Sequence, residues 1–280
     1  MQRMSSDYWK RDAPISVRCL VARSPSTPLR RVLDRTAGDP VGDVRTSWAQ
    51  ALCLGLYLSE GYNLSMDALD ALRTLAEVTA GQWGLVTTAQ AAGRGVSRLY
   101  LSRLAEDGQL ERVGRGGYRA AAVPADRFEP LKAAWLSITP ELTAEQRLRQ
   151  LVPDAVVSGP AAAHLHGLGD LVPEPYEFTV PVRRQTQRLE LKLRVRRLPA
   201  ESVTLRDGLP VTTVEQTVAD LVEARIDLSL VAGVLADAPG LDRTLLADLL
   251  TPLAARNRFP SGEAFLNRLD ALARLVRKEA

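Results

Sequence analysis

The 280-residue chain is 46% apolar and 25% charged, which suits a globular protein with a sizeable core and length for one large domain or two ordinary ones. Its net charge is a modest +3, Cys19 and Cys53 form neither a disulfide framework nor a zinc set, and the longest apolar-rich stretch, ALCLGLYL at 51–58, is too short to span a bilayer. These features exclude a disulfide scaffold, and with no signal peptide legible they point to a cytoplasmic protein without a membrane anchor.

Residues 1–62 include RSPSTPLRRVLDRTAGDPVGDVRTS, which sustains neither a helical nor a strand period. A segment this poor in periodic apolar residues is expected to be disordered, or to lie upstream of a start at Met66; a short apolar helix over Trp48–Leu58 is its one candidate element. Order is expected from Ser65, an N-cap for SMDALDALRTLAEVTAG, where Met66, Leu69, Leu72 and Leu75 or Ala76 share a face and Gly81 ends the helix. GLVT then reads as a short extended piece, and AQAAG as a second helix capped by Thr88. RLYLSRLAED reads as a third helix, capped by Ser97 and stopped by Gly108. QLERV and GYRAA make two strands joined by Gly114, Arg115, Gly116 and Gly117. Helix, helix, turn, helix and hairpin over 63–125 is the order of a winged helix-turn-helix.

A break is expected near Pro124–Glu129, and 130–280 reads as a second unit. FEPLKAAWLSI, TAEQRLRQLV and GPAAAHLHGLG are helical; YEFTVPV, RLELKLRVRRL and GLPVTTV alternate as strands; four helical segments follow from VEQTVADLVEA to the C-terminus. The predicted class is therefore α+β, a winged helix-turn-helix followed by a mixed α/β unit with a helical C-terminus.

The charge is unevenly distributed. In the third helix the apolar face faces the core, while Arg98, Leu99, Ser102 and Arg103 lie opposite, where a recognition helix meets base edges and flanking phosphates. Ser97 and the first amides of that helix would meet a phosphate. Arg115 on the hairpin turn, with Arg112 and Arg119 on its strands, would reach an adjacent groove or the backbone, and Thr87, Thr88 and Gln90 would touch backbone from the supporting helix. Charged helix faces are usually only solvated, and winged helices also bind proteins. The coincidence of helix-turn-helix order, a glycine-rich turn and arginines on both elements favours duplex DNA. A second basic run contains Arg183, Arg184, Arg188, Lys192, Arg194, Arg196 and Arg197 against Glu190 alone. It reads either as a partner surface or as a solvated strand face.

Catalytic readings are weaker. His164 and His166, the only histidines, lie two apart on one helix and cannot act as paired i, i+4 metal ligands. Ser158 and Asp170 flank them, but no G-x-S-x-G elbow is present. One histidine is expected to pack or cap the helix end before Gly167. No catalytic residue, metal site or cofactor is expected.

The segment TTAQAAGRGVSRLYLSRLAEDGQLERVGRGGYR resembles the winged helix of AbiEi-family antitoxins, and VVSGPAAAHLHGLGDLVPEPYEFTVPVRRQTQR with DGLPVTTVEQTVADL looks like that family's antitoxin domain. The likeness covers about 66–240. It implies a protein that represses its own operon by binding promoter DNA and neutralises a nucleotidyltransferase-like toxin. Under it, Arg98, Ser102, Arg103 and Arg115 carry over as DNA readers, and the Arg183–Arg197 region of the antitoxin domain would support DNA binding or face the partner, with Arg183, Arg184, Arg188, Arg194 and Arg196 as candidate partner contacts. The long N-terminal extension departs from the family pattern. Rival readings are a stand-alone winged-helix transcription factor that responds to a small ligand, and a remnant of a restriction-like nuclease. Against the nuclease, the chain after Asp220 reads as helices without the expected carboxylate set.

Overall fold

A computed structural model describes residues 68–279 except Leu151 and Pro239. The expectations for 1–62, for the Trp48–Leu58 helix and for the Ser65 cap lie outside the described residues. The first part runs α1 (Ala68–Thr79), β1 (Leu85–Thr87), α2 (Thr88–Gly93), α3 (Arg98–Glu106), β2 (Leu110–Arg112) and β3 (Gly117–Ala120), with β1 joining the β2–β3 hairpin in an antiparallel sheet of order β1-β3-β2. Helix α1 buries Ala71, Leu75 and Val78, and Leu69 is outside, so its inward face is rotated from the expected one. These residues close a small core with Val86, Ala91, Val96, Leu101, Leu104, Leu110 and Tyr118.

The second part continues with α4 (Glu129–Leu136), α5 (Ala144–Leu148), β4 (Val156–Ser158), α6 (Gly159–His166), β5 (Tyr176–Val180), β6 (Leu191–Val195), β7 (Val203–Arg206) and β8 (Leu209–Thr212). Its five strands order as β6-β5-β4-β8-β7, with β4–β5 and β7–β8 antiparallel and β5–β6 and β4–β8 parallel. Four helices end the chain: α7 (Val214–Glu223), α8 (Leu228–Asp237), α9 (Arg243–Ala254) and α10 (Gly262–Glu279). They pack around Leu221, Val231, Leu246, Leu250, Phe265 and Leu269. The α+β class with a helical C-terminus is observed.

The two parts share an interior. Strand β1 alternates between them, as a period of two requires: Val86 enters the small core, while Leu85 enters the cluster of Trp135, Phe178, Val157 and Val211 beneath the five-stranded sheet. Thr87, on the same side as Leu85, donates its hydroxyl proton to the carbonyl of Pro140. Two buried glutamines complete the join. Gln82 Nε2 donates to Gln90 Oε1 at 2.6 Å, Gln90 Nε2 donates to the Leu142 carbonyl at 2.7 Å, and the Ala144 amide donates to Gln82 Oε1 at 3.2 Å. Trp83 adds an edge-to-face contact with Trp135 at 6.2 Å. The expected break near 124–129 is thus spanned by buried polar and apolar contacts.

Gln90 also closes a capping box with Thr87, whose side chain accepts from the Gln90 amide. The cap is Thr87, one residue before the Thr88 expected. Gln90→Ala should lower stability by about 1–3 kcal/mol, because it removes the box and leaves the Leu142 carbonyl and Gln82 unsatisfied in the interior. Urea unfolding of the full chain checks this, and an unchanged midpoint would contradict the join.

Candidate nucleic-acid interface

Helix α3 is held by its own sequence. The Ser97 side chain accepts from the Tyr100 amide, Leu101 and Leu104 are buried, and Gly108 at φ 71 lets the chain turn away. This burial turns Arg98, Leu99 and Arg103 outward, with Leu99 62% exposed. Arg98, Arg103 and Arg115 enter no ion pair among the described residues. Ser102 is committed locally, accepting from Arg112 Nη2 at 3.1 Å, and Arg112 also lies over the Tyr118 ring. That contact ties the outward face of α3 to strand β2.

The hairpin turn is fixed in place. The Thr88 amide donates to the Gly116 carbonyl at 2.9 Å, and the Val113 amide to the Gly117 carbonyl at 3.0 Å. Gly114 and Gly116 at φ 70 and 77 adopt the left-handed conformation that side chains resist. Arg115 therefore projects from a turn pinned to the start of α2. Arg98, Arg112, Arg115, Thr88 and Arg188 line a cleft of about 640 Å³ between this turn, α4 and the 181–190 segment.

Several expected contacts are placed elsewhere. Thr87 and Gln90, predicted at a DNA backbone, are 4% and 5% exposed and belong to the interior join. Arg119, predicted to flank the wing, is 6% exposed and pairs with Glu111 and Glu129, since its strand is central in the sheet. The expected basic ridge is largely neutralised by acids from distant segments. Arg194 pairs with Glu223 at 2.7 Å, Arg196 pairs with Asp220 and Glu223, and Lys192 Nζ donates to Glu177 at 2.8 Å. Arg184 crosses back to the Ile138 carbonyl and Asp154. Arg184, Arg194 and Arg196 are therefore structural, whereas Arg183 and Arg197 face outward and Arg188 joins the cleft.

Arg147 was not singled out by its sequence, yet it is wholly buried. Its Nε pairs with Asp154 at 2.7 Å, its Nη1 donates to the Trp135 carbonyl at 2.6 Å, and its guanidinium lies over the Trp135 ring. It locks α5 to α4, and the i, i+3 pattern of a five-residue helix carries no signal for such a role.

The histidines separate. His164 is exposed and packs edge-to-face on Phe128 at 5.6 Å, while His166 Nε2 lies 2.8 Å from the Thr212 carbonyl, to which its N–H donates. Neither joins a cluster of metal-ligating residues among the described residues. Burial lowers the His166 pKa, opposed by the Thr212 bond. A folded value below the unfolded one, near 6.5, means that the unfolded chain binds the proton first. Stability should then fall as pH drops from about 6.5 through the folded value and level off below it. Urea midpoints between pH 7.5 and 5 should show this loss, and His166→Gln should flatten it; identical slopes in both proteins would contradict the assignment.

Residues 73–121, from α1 through the hairpin, match the family model described as "Transcriptional regulator, AbiEi antitoxin". The likeness read from the sequence holds over this segment. No curated protein matches the chain. Among solved structures, the RV2827C protein from Mycobacterium tuberculosis is similar with a TM-score of 0.44 and 16% identity, over 72% of this chain and 75% of that one. No helix among the described residues is long and apolar enough to cross a membrane.

Proposed function

We propose that the chain is a cytoplasmic antitoxin that represses its own operon through residues 63–125, acting as a winged helix, and meets a nucleotidyltransferase-like toxin through 130–280. The carrying observation is that Arg98, Arg103 and Arg115 stand exposed and without an ion pair among the described residues, on a helix and turn held in place by a small core, with Arg98 and Arg115 lining one cleft. Unpaired guanidiniums on a helix and an adjoining turn suit phosphate and base edges at two successive positions on a duplex. The AbiEi match over 73–121 supports the same reading. Toxin neutralisation rests on the family likeness and on what the second part has left to offer once its interior ion pairs are discounted. Those pairs are a reason to seek the toxin contact away from Arg194 and Arg196.

Titration of the full chain against its own promoter at several salt concentrations tests the DNA reading. Arg98→Ala should cost about 1–3 kcal/mol if it reads a base, and Arg115→Ala should reduce the salt slope by about 1 if it meets phosphate. A triple Arg98/Arg103/Arg115 alanine variant that binds like the wild type would overturn the reading. The same variant, co-expressed with the neighbouring toxin under a separate promoter, should still restore growth. Loss of rescue by a variant that folds like the wild type would mean that the arginine-bearing module itself takes part in neutralisation.

A further inference from the structure

We propose that the cleft between the 113–116 turn and the 181–190 segment holds a DNA backbone phosphate, and that Arg188 completes this site from outside the DNA-reading module. The inference rests on the DNA-binding reading and adds to it a residue from the second part.

Arg188 lies nearly 70 residues beyond the hairpin in sequence, yet its Nη2 is 4.0 Å from the point a Cβ on Gly114 would occupy. The guanidinium therefore rests against the turn that carries Arg115. Its side chain is only 18% exposed and is anchored by Nε donating to Glu190 Oε1 at 2.7 Å. The two Nη groups find no acceptor among the described residues. A guanidinium fixed through its Nε in this way keeps its fork free to receive an anion from the cleft.

The surroundings fit that anion. Arg98 and Arg112 reach the cleft from α3 and β2, Arg115 from the turn, and Thr88 supplies a hydroxyl. Among the described residues no carboxylate lines the cleft beside Arg98, Arg112, Arg115 and Arg188, and the Arg188 partner Glu190 is exposed. Its pKa is held below the usual carboxylate range by its own backbone amide first, then by Arg188, with Arg115 contributing at longer range. A group with forked donors on several sides and no apolar demand is a phosphate. Inorganic phosphate shares that chemistry, but Arg98 belongs to the face of α3 proposed to read bases. A phosphate flanking those bases then falls where the turn and Arg188 meet.

Such a contact fixes register without reading sequence. It would also make the second part a determinant of DNA affinity, so a partner that moves the 181–190 segment would alter operator binding.

Fluorescence anisotropy of the full chain on promoter and unrelated duplexes, over a salt series, tests the site. Arg188→Gln should weaken binding to both duplexes alike, by roughly tenfold at low salt, and reduce the salt slope by about 1. Glu190→Gln keeps an oxygen for the Arg188 Nε while removing a charge, so it should tighten binding severalfold. If Arg188→Gln and Glu190→Gln both bind like wild type while Arg98→Ala weakens binding, the inference is overturned and the DNA reading stands. If Arg98→Ala and Arg115→Ala also bind unchanged, the DNA reading fails and takes the site with it. Inorganic phosphate that displaces duplex from the wild type beyond chloride of equal ionic strength, but not from Arg188→Gln, would assign the cleft to a free anion and overturn the backbone contact.

Discussion

Gln82 and Gln90 meet side chain to side chain in the interior between the first sheet and the loop before α5, and much of the remaining geometry depends on that meeting. A buried amide pair is tolerated only when its donors and acceptors are used. Here they reach the Leu85 and Leu142 carbonyls and the Ala144 amide, so each glutamine holds one part of the chain against the other. An apolar join would allow sliding; directional bonds specify one position. That position sets the hairpin turn beside the 181–190 segment and creates the cleft.

The arginines divide according to the same constraint. Those near the join are drawn inward: Arg119 to Glu111 and Glu129, Arg147 to Asp154 and the Trp135 ring, Arg184 to Asp154. Those at the far edge of the five-stranded sheet are balanced by Glu177, Asp220 and Glu223. Arg98 and Arg115 at the cleft enter no ion pair among the described residues, and Arg188 beside them keeps only the exposed Glu190. The modest net charge of +3 thus conceals a local positive surface, because several arginines elsewhere are paired with acids.

Local features were legible in the sequence. Ser97 caps α3, Gly108 ends it, Gly167 at φ 74 closes α6, and the alternating strands at 176–180 and 191–195 fall where their period puts them. Contacts between distant segments were not. LKLRV alternates as an exposed strand would, yet its cations meet carboxylates on β5 and α7, a pairing that only the parallel β5–β6 register and the docking of α7 create. Thr87 and Gln90 carry the composition of a DNA-contacting helix start. Their burial follows from Leu85 and Thr87 sharing one face of β1, which matters only once the second part covers that face. The central strand β4, three residues long, is too short to show a period, and β7 was missed with it.

Hydrogen exchange of the full chain with and without a duplex of its own promoter tests the account most directly. A single body with a shared phosphate cleft predicts that DNA slows exchange together in α3, the 113–117 turn and the 185–190 segment, with β5 and α7 unchanged. Protection restricted to α3 and the turn would detach the second part from the interface, and protection in none of the three would contradict the DNA-binding surface itself.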